Sequence, residues 1–195
     1  MTQPYATKRL YLASGSPRRQ ELMQQLNLDF KVVSAPIDET LQAGESPKQY
    51  VTRMAKEKAL AGADRLLDAN AWVVGGDTSV VFADHVLGKP ENDNHAIEML
   101  KMLSGQYHEV FSSICITHNG QVFSALNQTE VCFKSLSNDE IANYVATGEP
   151  QGKAGAYAIQ GQAAAFIKRI KGSFSGVMGL PLYELNMLLE QSEYR

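Results

Sequence analysis

Arg18 and Arg19 stand where a helix opening normally recruits acidic residues. In LYLASGSPRR, Leu10 to Arg19, an apolar run of strand type is broken by Ser14-Gly15-Ser16. Ser16 has N-cap character and Pro17 suits the first helical position, where a missing N–H costs nothing. Leu22, Met23 and Leu26 then recur at helical spacing. A helix start offers free N–H groups and a positive dipole end, so two arginines in its first turn point to an anion held between N–H groups and guanidiniums. Solvated arginines beside a tight turn are the plainer alternative. Neither GxGxxG nor GxxxxGK[ST] occurs, so no standard nucleotide loop supports the anion reading.

Two more charged residues break apolar patterns. Ser46-Pro47-Lys48-Gln49 has capping-box form, and the helix it opens is expected to run to about Ala63. Tyr50, Val51, Met54, Ala55, Ala61 and Gly62 form one apolar stripe on it, and Lys58 falls in the middle. A lysine on an inward face must snorkel, pair or hold an anion. Asp77 lies between the apolar runs Ala71–Val74 and Thr78–Phe82, beside Gly75 and Gly76, which permit close backbone approach. Ionised Asp is almost never buried without a partner or metal, so function is favoured over an Asp that merely bonds backbone at a strand end.

The elements that must position these residues alternate between strand and helix at first, and hairpins dominate the middle. Strands are expected at Phe30–Val33 and around Val86–Leu87. A helix capped by Asp93 ends at Gly105, and Tyr107–Thr117 pairs with Gln121–Leu126 across Asn119-Gly120. A separate strand is expected at Thr129–Leu136. A second capping box at Ser137 opens a helix that stops at Gly148. A strand follows at Ala163–Ile170, then a flexible loop from Gly172 to Gly179, and a last helix from Pro181. That order predicts an α/β fold with a mixed sheet and no internal boundary, so residues 1–195 read as a single domain.

Composition narrows the function classes. A net charge of −3 argues against nucleic acid or a membrane surface as partner, so any phosphate site must be a local cationic cluster. The opening MTQPYATKRL has no apolar signal core, and no run of about 18 apolar residues occurs, which makes a cytoplasmic chain the expectation. Cys115 and Cys132 read as reduced core residues, and the four histidines share no ligand spacing. No GxSxG elbow supports acyl transfer.

Taken in order, ASGSPRRQELM, Asp38-Glu39, Ala55-Lys56-Glu57-Lys58-Ala59, Gly76-Asp77-Thr78, Gly88-Lys89-Pro90, Lys153-Ala154-Gly155-Ala156-Tyr157 and Val177-Met178-Gly179-Leu180-Pro181 resemble the Maf family of nucleoside triphosphate pyrophosphatases. The resemblance covers roughly Leu10 to Leu189. It implies an elongated mixed β-sheet with flanking helices, split into two lobes by a central cleft and similar to inosine triphosphate pyrophosphatase. It also implies hydrolysis of a nucleoside triphosphate to monophosphate and pyrophosphate, a divalent cation and a homodimer. By motif, Asp77 would be the proton acceptor, and Arg18, Thr78 and Gln160 would set base specificity. The branch acting on 7-methyl-GTP carries Trp where this chain has Arg18 and Gln where it has Thr78; the branch acting on dTTP and UTP matches at both. Two departures stand out. Gly76 replaces the usual Ala or Ser and should loosen the local backbone, and Ala158 replaces the more usual Gly.

This chemistry fits the residues read above. Ser14, Ser16, Arg18, Arg19, Lys58 and Lys89 form the expected phosphate cradle, with Ser14 and Ser16 donating through hydroxyl and backbone N–H. Glu39 and Asp77 are the expected oxygen ligands for Mg²⁺ or Mn²⁺. Two other readings stay open: a nucleotide-binding regulator of septum formation without turnover, and a pyrophosphatase for modified purine nucleotides such as 7-methyl-GTP.

Overall fold

Asn119 and Gly120 both take positive φ, 48° and 74°, and turn the longest hairpin among the described residues. The computed structural model describes residues 8–34, 36–66 and 68–195; MTQPYAT, read above for targeting signals, lies outside them. In chain order the strands are β1 (Leu10–Leu12), β2 (Phe30–Val32), β3 (Trp72–Phe82), β4 (His85–Leu87), β5 (Tyr107–His118), β6 (Gln121–Phe133) and β7 (Ile167–Lys171). The helices are α1 (Pro17–Gln25), α2 (Pro47–Leu66), α3 (Asp93–Leu103), α4 (Asn138–Ala146), α5 (Phe174–Met178) and α6 (Leu182–Gln191).

The strands form one seven-stranded sheet in the order β2-β1-β3-β5-β6-β7, with β4 paired to β3. β1 runs parallel to both β2 and β3, and the other pairings are antiparallel. The mixed α/β sheet expected from the sequence is therefore present.

The two faces differ in how they are covered. Val74, Val80, Val110, Ile114 and Ile116 face the large core, which α3, α4 and α6 complete with Leu100, Leu103, Ile141, Leu185 and Leu188. The opposite face carries small clusters, such as Ala55, Ala59 and Cys115. There α2 packs so closely that a Cβ on Gly75 would collide with the Ala55 carbonyl and the Ala59 amide. Cys115 and Cys132 are both free and buried.

Several local expectations are corrected. β3 is one continuous strand, so Gly75-Gly76-Asp77 is no break; cross-strand bonds to β5 through this stretch override weak strand propensity. β6 likewise runs unbroken from Gln121 to Phe133. α2 extends to Leu66. Asn92, not Asp93, caps α3, its side chain accepting from the His95 amide. β7 begins only at Ile167, after a 3₁₀ turn over Gln162–Phe166. The Gly172–Gly179 stretch is not a flexible loop, because Ser173 caps the short helix α5 by accepting from the Gly176 amide. Among the described residues no helix is long and apolar enough to cross a membrane.

Candidate active site

The site follows from a gap beside β3. On one side, β1 pairs with β3 only as far as Val74, and β4 joins only from Val80. Among the described residues, none pairs with 75–79 as a strand on that side, while β5 holds their other side in register. Brought together around the gap are the end of β1 with Ser14–Arg19, the start of β4's exit at Gly88-Lys89, and the Lys153–Gln160 segment. They enclose a cleft of about 680 Å³. A crevice beyond the ends of parallel strands is the usual ligand position in open α/β sheets.

Successive residues of β3 point to opposite faces, so this gap lets both reach the cleft. Asp77 points toward α2, where Lys58 Nζ stands 2.8 Å from its Oδ1. The same ammonium lies 2.6 Å from Glu39 Oε1. Lys58 therefore pairs; it neither snorkels nor faces solvent. Burial raises the Glu39 pKa, but the hydrogen bond and charge of Lys58, with Lys89 and Arg19 beyond, hold it below the ordinary carboxylate range.

On the other face, α1 presents the arginines. Arg19 Nε donates to the Gly179 carbonyl at 2.8 Å and Nη1 to Ser14 Oγ at 3.1 Å. Arg18 Nε reaches the Met178 carbonyl at 3.4 Å. Burial lowers the pKa of both, and Asp77 opposes this for Arg19, yet guanidiniums remain charged. Ser14 Oγ also accepts from the Ser16 amide at 3.2 Å, so the Ser16 N–H expected for a phosphate is already engaged. Ser16 occupies the N-cap position without a side-chain cap bond. Thr78, Lys89 and Gln160 line the cleft too, so the expected site residues all meet in one place.

Glu39 and Asp77 fit a divalent cation. Lys58 stands between them as a cation in their shared position, and Mg²⁺ is commonly held by one or two carboxylates plus substrate phosphates. Among the described residues no cluster of three or more acidic, His or Cys side chains forms an all-protein metal cage.

A model of the family described as Maf-like protein matches residues 9–192. The chain belongs to the Maf family. It is 50% identical over 187 residues to a protein of Hydrogenovibrio crunogenus named dTTP/UTP pyrophosphatase, across 96% of this chain and 97% of that one. A Salmonella typhimurium protein of the same name is 49% identical over 180 residues, 92% of this chain and 91% of its own. Among solved structures, the Staphylococcus aureus Ham1 protein overlaps 65% of this chain and 72% of its own, with TM-score 0.46 and 17% identity.

The Maf fold also uses residues that sequence reasoning missed. Arg53 grips Glu45 with Nε and Nη2, both at 2.7 Å, and gives Nη2 to the Thr40 carbonyl at 3.0 Å. Tyr50 Oη donates to the Glu39 carbonyl at 2.9 Å. Together they strap the Glu39 loop to α2. Arg53 lies outside the apolar stripe of α2 and carries no sequence signal beyond its charge. Lys153 enters the cleft as a fifth cation; burial and Arg18 lower its pKa while Glu149 raises it. Glu149 accepts from the Gln162 amide at 3.0 Å and the Tyr144 hydroxyl at 2.9 Å, fixing the segment that presents Gln160. Gly76 needs no special freedom: an added Cβ would meet Arg19 and Leu180 at ordinary contact distance.

Proposed function

We propose that this Maf chain hydrolyses dTTP and UTP, and modified pyrimidine relatives, at the α–β phosphoanhydride, releasing the nucleoside monophosphate and pyrophosphate. The observation that carries this reading is the meeting of Asp77, Lys58 and Glu39 with Arg18 and Arg19 in one cleft. Half-identity to proteins named dTTP/UTP pyrophosphatase supports the substrate class.

In this reading Arg18, Arg19, Lys89 and Lys153 neutralise and orient the triphosphate from three segments of chain. Ser14 spends its oxygen on Arg19 and the Ser16 amide, leaving its own proton for a phosphate oxygen. Lys58 holds Asp77 at Oδ1, and Oδ2 orients the attacking water and takes its proton. Glu39, with Asp77 Oδ1 where Lys58 gives way, would hold Mg²⁺ or Mn²⁺, which supplies charge neutralisation at the phosphates and a lowered pKa for bound water. Thr78 and Gln160 read the base, with Arg18 at the boundary between phosphate and base. The chain works as a single two-lobed catalytic unit, as a homodimer, in the cytoplasm.

Pyrophosphate release from dTTP, UTP, CTP, 7-methyl-GTP and inosine triphosphate, with and without Mg²⁺ or Mn²⁺, tests this directly. Turnover of dTTP and UTP with the metal is expected. Preference for a purine would move the enzyme to modified purine nucleotides, and no release from any substrate would favour a regulator.

A further inference from the structure

Cross-strand register sets Thr78 of β3 opposite Ser112 of β5. Their hydroxyl oxygens are 2.7 Å apart, a distance at which either can donate. A third group decides the direction. Ser112 Oγ lies 2.6 Å from the Gly176 carbonyl oxygen, which can only accept, so the one proton of Ser112 goes there. Ser112 then meets Thr78 with a lone pair, and the one proton of Thr78 must go to Ser112. Ser112 is fully buried, at 0% exposure, so no water competes for that lone pair. Thr78 Oγ1 has no other hydrogen-bond partner among the described residues, and it lines the cleft. Toward a ligand it is an acceptor only.

We propose that Ser112 is a positioning residue that fixes Thr78 as a hydrogen-bond acceptor, so that the site takes the imide N3–H of uracil and thymine and rejects cytosine. This rests on the reading of the chain as a pyrimidine triphosphate pyrophosphatase whose Thr78 meets the base. A sugar-linked uracil or thymine ring has a single N–H donor, at N3, flanked by two carbonyl acceptors. An acceptor-only reader has nowhere else on the ring to bond. Cytosine in the same pose presents a bare lone pair at N3 to the lone pair of Thr78, and its one donor, the 4-amino group, sits where uracil carries its 4-carbonyl and meets Thr78 only if the ring shifts. Gln160, exposed at the cleft with an amide that both donates and accepts, supplies the donor for a flanking carbonyl. The Gly176 carbonyl belongs to α5 but does not itself line the cleft, so base polarity is set by a group behind the cleft wall.

The test compares kcat/KM for UTP and CTP in the unaltered chain and in Ser112→Ala. Without Ser112 the Thr78 hydroxyl rotates and can donate, so the UTP-to-CTP ratio should fall about tenfold, chiefly through KM. A Ser112 that only supports the fold would lower both activities alike, and an unchanged ratio overturns the proposal. Circular dichroism and a thermal melt check that Ser112→Ala folds. N3-methyl-UTP on the unaltered chain supplies a second arm: it should be as poor a substrate as CTP, and turnover equal to UTP overturns the proposal. Calorimetric binding of UMP against CMP, in both proteins, reads the same preference without turnover. Absence of pyrophosphate release from every triphosphate would sink the pyrophosphatase reading. A UMP preference that Ser112→Ala abolishes would still uphold the polarity of Thr78.

Discussion

At the residue scale, the centre of the cleft is one ammonium shared by two carboxylates. Asp77→Asn keeps the shape of the side chain and removes its basicity, so kcat should fall on the order of 10²-fold or more while the thermal melt stays close to the parent's; near-normal pyrophosphate release would remove Asp77 from the chemistry. Lys58→Met strips the nearest counterion from the half-exposed Glu39 and leaves only its partial burial and more distant cations, so the Glu39 carboxyl should titrate at higher pH than in the parent. Carboxyl-carbon NMR titration measures this, and an unmoved titration would assign the effect to Lys89 and Arg19. Because the folded pKa of Glu39 is depressed, the stability it contributes is present above the unfolded value of about 4.3 and is lost as pH falls through the lower folded value. Lys58 and Asp77 were legible in the sequence because each is a charge in an apolar pattern, where solvation cannot explain it. Ser112 was not legible. A serine in a strand is ordinary, and its role arises from a carbonyl 64 positions away.

At the element scale, β3 carries the site because it is held on one side and left open on the other. Its glycine pair resembles a strand break, yet Gly75 is there for α2. Gly75→Ala would force the α2 backbone away from the sheet, and since no flexible side chain can yield, a loss of about 3 kcal/mol or a failure to fold is expected in urea melts. The loop that bears Glu39 depends on a different device, the two-pronged grip of Arg53 on Glu45 with Tyr50 beside it. Arg53→Ala should speed amide exchange across residues 38–45 and raise KM for the triphosphate. Arg53→Lys should restore little, because an ammonium cannot make the forked contact. Capping boxes at Ser46 and Ser137 and the Asn-Gly turn were readable, since each is a local bargain between neighbouring residues. Strand continuity in β3 and β6 was not, because partners far along the chain decide it.

At the scale of the whole molecule, the sheet divides a deep core from a thin layer under α2, and the deep side holds a buried titratable group. His108 is 2% exposed, bonded through Nε2 to the Tyr157 hydroxyl at 2.8 Å, and burial pushes its pKa down to about 4. The unfolded chain takes up that proton near pH 6.5, so stability is complete above that value and drains away as pH falls toward about 4. The full effect is about 3 kcal/mol, and urea melts across this range on His108→Phe should show a shallower acid limb. A last consequence concerns the order in which the chain is made. The ε nitrogens of Arg18 and Arg19 are seated on the carbonyls of Met178 and Gly179, 160 positions downstream. On the ribosome those arginines emerge early and wait for nearly the whole of synthesis with no seat. The seating of the two guanidiniums therefore comes into being only when the far end of the chain arrives, and a nascent or truncated product lacking residues 173–181 would have the charges without their seats.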